Sequence, residues 1–154
     1  MKTRSFVLTL ALCMLALAVS FAQNPNIGTW KLNEAKSKIP AGASKNTTEV
    51  YAPAGDITKV TTDGVDGSGQ AIHSEWTGNF DGKPYPVTGM ASVDSRAYTA
   101  KGDRTLEIAN MKDGKTVFTG KIELAKDGKS RTVDIEGTLP DGKKYKAKYV
   151  YDKQ

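Results

Sequence analysis

Apolar and polar residues alternate with period two along most of the chain. In Gln70–Phe80, one parity holds Ile72, Ser74, Trp76, Gly78 and Phe80, and the other holds Ala71, His73, Glu75, Thr77 and Asn79. Phe118, Ile122 and Leu124 lie opposite Val117, Thr119, Lys121 and Glu123. Val133, Ile135 and Leu139 lie opposite Thr132, Asp134, Glu136 and Thr138. Tyr145, Ala147, Tyr149 and Tyr151 lie opposite Lys144, Lys146 and Lys148. Successive side chains of a strand point to opposite faces, so each stretch predicts a strand with one buried and one wet side.

Punctuation supports the same elements. Asp-Gly-Lys recurs at Asp113, Asp127 and Asp141, a spacing of 127 − 113 = 14 residues. Asp-Gly between extended runs predicts a tight primed turn, because such turns need positive φ. That leaves 14 − 2 = 12 positions per strand, turn flanks included. Earlier strands are expected at Gly28–Asn33, Asn46–Ala52, Asp56–Thr62, Met90–Ala100 and Arg104–Met111. Pro84 and Pro86 restrict the strand after Asp81-Gly82-Lys83 to an edge-like or bulged form, which leaves full closure open. Glu34–Lys45, with Pro40 and Gly42, predicts a loop with at most one helical turn. No stretch has an amphipathic helical pattern. The expected fold is all-β: one antiparallel up-and-down (meander) barrel of about eight to ten strands. Long, sequentially paired strands favour a barrel over a sandwich.

Met1–Ala22 stands apart. Lys2 and Arg4 precede an apolar run from Phe6 to Val19, and Ser20-Phe21-Ala22 is a small-x-small cleavage site. This is the pattern of a secretory signal peptide, too short for a membrane span. Leu12 precedes Cys13 where a lipoprotein site wants a small residue, so cleavage before Gln23 is expected, with no stable membrane anchor. The protein is then periplasmic or secreted, with one domain at 23–154. Cleavage removes Cys13 and two basic residues, leaving a cysteine-free chain of charge 20 − 17 = +3. So mild a charge calls for no nucleic-acid partner, and a monomer is expected.

Candidate chemistry is sparse. His73 is the one histidine, and it shares the outer parity with Glu75, where a proton-transfer pair has no pocket. One histidine and no mature cysteine leave a transition metal without its usual ligands, and no cofactor is implied. Asp63–Gly69 (DGVDGSG) lacks the ligand spacing of a calcium loop and is read as a turn. No G-x-S-x-G elbow occurs. The lysine row at 144, 146 and 148 suits a solvated sheet face. Parity places Trp76, Phe118, Tyr145 and Tyr149 inside, for packing or for a ligand. Arg131 and Arg96 share inward parities, either to meet a ligand carboxylate or to reach water at a rim.

Gly28-Thr29-Trp30-Lys31-Leu32 at the head of a small exported meander resembles the calycin superfamily, the lipocalins and fatty-acid-binding proteins. Gly28 and Trp30 meet the lipocalin Gly-x-Trp pattern, and GTWKL is fatty-acid-binding wording. The chain also resembles bacterial secreted proteins that begin GTWKLN and repeat Asp-Gly-Lys turns. It lacks the lipocalin Thr-Asp-Tyr turn, since Gly64 follows Thr62-Asp63. The final strand carries no Arg to cover Trp30 and no Arg-x-Tyr clamp. The resemblance implies a lipocalin-like barrel plugged at one end by Gly28 and Trp30, binding a small apolar or amphipathic ligand without catalysis. A packed-core barrel that meets a protein or polysaccharide is the alternative. A barrel enzyme of the isomerase or cyclase type ranks last, and would need an inward carboxylate or histidine with a polar partner. Interior volume separates the first two readings.

Overall fold

A computed structural model of the protein describes residues 24–138 and 141–154. The expected signal segment and Leu139 lie outside the described residues. Among the described residues, ten strands follow in order: β1 (Gly28–Leu32), β2 (Lys45–Ala54), β3 (Ile57–Val65), β4 (Ala71–Gly78) and β5 (Tyr85–Thr88). They continue with β6 (Ser95–Ala100), β7 (Thr105–Lys112), β8 (Lys115–Leu124), β9 (Ser130–Thr138) and β10 (Lys144–Lys153). Each pairs antiparallel with its neighbours in sequence, and β1 pairs with β10 to close the barrel. Glu34–Lys36 forms one 3₁₀ turn, capped where Asn33 accepts the Lys36 N–H.

The alternation read from the sequence becomes inside and outside. Trp30, Tyr51, Val60, Trp76, Tyr98, Ile122, Val133 and Tyr149 belong to one buried cluster. Among the described residues, closure gives every wall strand two hydrogen-bonded neighbours. The outer face carries charges in alternating sign across the strands: Glu107, Lys121, Asp134 and Lys148 are successive register partners. Lys146 also bonds Glu136. The expected lysine face is therefore largely neutralised by its neighbours.

The Asp-Gly-Lys turns differ from expectation in one respect. Asp113 alone among the non-glycine residues described has positive φ, +50°, next to Gly114 at +73°. Only this site has positive φ at both central residues, as a two-residue primed turn requires. At 127–129 and 141–143 the Asp side chain accepts the N–H of the Lys two residues on, at 2.9 and 3.0 Å. That local bond lets Asp keep negative φ and leaves only Gly128 and Gly142 in the left-handed region. The longer connections shorten the strands, so β8, β9 and β10 have 10, 9 and 10 residues.

The proline-bearing strand closes, thinly. β5 keeps two register pairs with β4 and two with β6. Below it, the Gly82 N–H reaches the Tyr98 carbonyl and the Ala100 N–H reaches that of Phe80, which extends the wall where β5 is absent. β1 is short as well. Past Leu32 the wall is completed by the 33–44 connection, where Lys38 bridges Lys148. Hydroxyls on β10 tie this region down: Tyr149 donates to the Ser44 carbonyl and Tyr151 to that of Asn46. The 33–44, 66–70, 89–94 and 113–114 connections all lie at one end, which forms the mouth.

Gly128→Ala should lower stability by about 1 kcal/mol, because its φ of +68° strains any Cβ. Lys126→Ala, beside it and exposed, should stay within about 0.5 kcal/mol. Urea unfolding of the two variants compares them.

Candidate functional site

The end opposite the mouth is sealed by Trp30, which is completely buried and pairs with Lys153, the last residue of β10. Its indole N–H donates to the Asn26 carbonyl at 2.8 Å, fixing the leader beneath the barrel. Gly28, at φ +133°, leaves room for the Lys153 side chain; a Cβ there would stand 2.7 Å from its Cε. The Lys153 ammonium lies 5.1 Å from the centre of the Trp30 ring.

Arg131 lies above this plug. The final strand has no arginine for Trp30, but β9 supplies one. The Arg131 guanidinium is 4.5 Å from the Trp30 ring centre, 4.4 Å from that of Tyr51 and 5.4 Å from that of Tyr151. It is 1 % exposed, and it donates through Nη2 to Glu49. Its Nε and Nη1 have no acceptor among the described residues, and the negative faces of the surrounding rings take the place of one. Arg131 is therefore neither at a rim nor free for a ligand: Glu49 and the aromatic rings already occupy it.

Trp76 is also committed elsewhere. It packs against Phe80, Tyr85 and Tyr98, with ring centres 6.0, 5.8 and 4.8 Å away. Its indole N–H donates to the Arg96 carbonyl. It is interior, as its parity requires, but it is core and not part of a cavity wall.

A cavity of about 100 Å³ remains towards the mouth. Phe118, Tyr145, Tyr149 and Arg96 line it, as do Glu49, Tyr51, Tyr98 and Asn110, which the sequence reading did not single out. Ile108, Ile122, Val133 and Ile135 supply its apolar wall, and Ser44, Met90 and Ser92 border it from the connections at the mouth. The volume lies far below the roughly 300–1,000 Å³ of sites for drug-sized ligands. It is also smaller than the engineered apolar cavity of about 150 Å³ that accepts benzene. A long-chain lipid does not fit.

Arg96 decides the electrostatics of this space. It is 7 % exposed, so the expected reach to water at a rim does not occur. Its Nε donates to Asn110 Oδ1 at 2.6 Å and its Nη1 to the Tyr98 hydroxyl at 3.2 Å. Its Nη2 has only the Met90 sulfur, at 3.7 Å. The Tyr98 hydroxyl in turn lies 3.3 Å from that of Tyr51, so one polar chain links the cavity to the rings beneath Arg131. The buried charged residues described are Glu49, Arg96 and Arg131: two cations against one anion, and Glu49 is bound to Arg131 and Asn46. Among the described residues no carboxylate bonds Arg96. The buried charges described sum to one net positive charge.

Elsewhere the polar groups have local work. His73 is exposed on the outer face, 2.6 Å from Asp63 and 3.9 Å from Glu75, and Glu75 holds Lys59 at 2.6 Å. In the DGVDGSG loop, Asp66 accepts from the Ser68 hydroxyl and from the Ser68 and Gln70 N–H groups. These bonds hold its carboxyl below the usual carboxylate range and build the turn.

No protein-family model and no curated protein matches the chain. Among solved structures, the chain is similar to EF1p2_mFAP2b bound to DFHBI: 14% identity over 84% of this chain and 94% of that one, TM-score 0.48. A redesigned β-barrel, mFAP1, bound to DFHBI gives 18% identity over 84% and 95%, TM-score 0.44.

Two outcomes follow from this interior. Arg131→Met should cost roughly 3–5 kcal/mol, because it strands Glu49 without its partner, and adding Glu49→Leu should recover part of that loss. Urea unfolding of the single and double variants measures the coupling. Burial pushes the Tyr51, Tyr149 and Tyr151 hydroxyls well above their ordinary pKa of 10.0. The folded protein keeps these protons where the unfolded chain releases them. Their contribution is therefore complete below about pH 10 and falls as pH rises, by about 1.4 kcal/mol per pH unit for each tyrosine. Denaturant melts run together with tyrosinate absorbance should show ionisation and unfolding rising as one transition.

Proposed function

We propose that this chain is an exported, calycin-like binding module whose cavity takes a small organic anion, a carboxylate on a short apolar body, and performs no chemistry on it. The observation that supports this is the Arg96 guanidinium: buried, without a carboxylate partner among the described residues, and facing a cavity whose other wall is aliphatic and aromatic. A buried charge without a counter-ion is costly, and an anion entering the cavity relieves that cost. Planar guanidinium donors suit a carboxylate, and Ile108, Phe118, Ile122 and Ile135 suit a few methylenes beside it. About 100 Å³ limits the guest to a few heavy atoms, the size of butyrate.

Glu49 is an inward carboxylate with polar partners, the feature an isomerase or cyclase requires. Both its oxygens are engaged, by Arg131 and Asn46, so it serves better as a fixed counter-charge than as a base. Export rests on the residues of Met1–Ala22. The small volume favours a second reading, a packed barrel that meets another macromolecule through its surface.

Calorimetric titration of the protein with butyrate and, separately, with inorganic phosphate tests the first reading. Butyrate should bind, phosphate should bind at least about tenfold more weakly because nothing in it uses the apolar wall, and Arg96→Met should abolish butyrate binding. If butyrate gives no heat in the wild type, or binds Arg96→Met equally well, the anion reading falls and the surface reading takes its place.

A further inference from the structure

The weakest bond around Arg96 is the one at the mouth. Asn110 and Tyr98 hold two corners of the guanidinium with good oxygen acceptors. The third corner, Nη2, rests on a thioether, a weak acceptor. That sulfur belongs to Met90, in the connection between β5 and β6.

The connection is fixed at both ends, and its middle residues face solvent. At one end Gly89 has φ +81°, and a Cβ there would collide with the His73 carbonyl. At the other, the Asp94 N–H bonds the Met111 carbonyl at 2.9 Å, and its carboxylate accepts the Asp113 N–H at 2.7 Å. Its carbonyl takes the Val87 N–H at 2.9 Å. Val93 is buried in the core. Met90 is half-buried between these anchors, and Ala91 and Ser92 are exposed, so solvent lies directly beyond. β5, which supports this connection, is joined to each neighbour by only two register pairs.

We propose that Met90 is the gate and the size filter of the Arg96 seat, an inference that rests on the anion-binding reading above. Its thioether stands in for the ligand on Nη2. An incoming carboxylate displaces it, forming a charge-assisted bond in place of a weak sulfur contact. Methionine suits this part because it is unbranched and turns about three bonds at little cost. The backbone at Gly89 and Asp94 need not move, so opening is a side-chain event. The residue at position 90 then sets how large a guest passes.

The test uses the full chain with isotope-labelled methionine methyl groups, the Met90 signal being identified by its loss in Met90→Leu. Butyrate should shift the Met90 methyl resonance in the wild type. Met90→Ala should bind butyrate faster and should admit benzoate, which the wild type excludes, with an affinity gain of about tenfold or more. Met90→Leu, similar in volume, should keep benzoate out. If butyrate binds through Arg96 while the Met90 methyl stays unmoved and Met90→Ala still excludes benzoate, the gate is wrong and the anion site stands. If neither wild type nor Met90→Ala binds either carboxylate, both ideas fall together.

Discussion

The interior is organised by one buried ion pair. Arg131 is enclosed by Trp30, Tyr51 and Tyr151, and among the described residues Glu49 is the one carboxylate that reaches it. Taking a guanidinium out of water is costly unless opposite charge and polarisable surface replace the lost hydration. Here both do, and the arrangement joins β1, β2, β9 and β10 across the line where the barrel closes. Closure and charge neutralisation are thus coupled. The pair also uses the only buried carboxylate described, which is why the second interior arginine is left without one.

That division of labour gives the barrel two unlike halves. The end near Trp30 is filled by rings and by Arg131. The end near the mouth keeps space, an aliphatic wall and Arg96, which no carboxylate among the described residues bonds. Small barrels fill their middle with side chains, and space survives only where small or irregular residues interrupt them. Gly137 is one such interruption, since a Cβ there would stand 2.7 Å from that of Phe118. The bulge between Asn110 and Met111 is another, which bends β7 and β8 close to the cavity.

Much of the architecture was legible because period-two alternation is a local signal. Trp76, Phe118, Ile135 and Tyr149 could be assigned inward from their own neighbours, and they do converge on one interior. Strand lengths were less legible. Asp-Gly-Lys names a turn but not its type, and the choice depends on whether the Asp side chain or its φ does the turning. The site was least legible. Parity put Arg96 and Arg131 inside but could not tell which would find a carboxylate, since Glu49 is 82 residues from Arg131 in sequence. Parity also cannot separate Trp76 in the core from Tyr149 at the cavity, because depth along a strand is set by tilt and register. Glu49 itself carried only a faint signal, the shared parity with Tyr51 two residues on.

The thin attachment of β5 has a kinetic meaning. A wall is only as persistent as its least-stitched panel, and local opening draws on the elements with fewest bonds to break. Thermal breathing of this barrel is therefore directed, concentrated where Pro84 and Pro86 withhold backbone donors, while the long β8–β10 panel stays shut. Two prolines set the side on which the molecule loosens first.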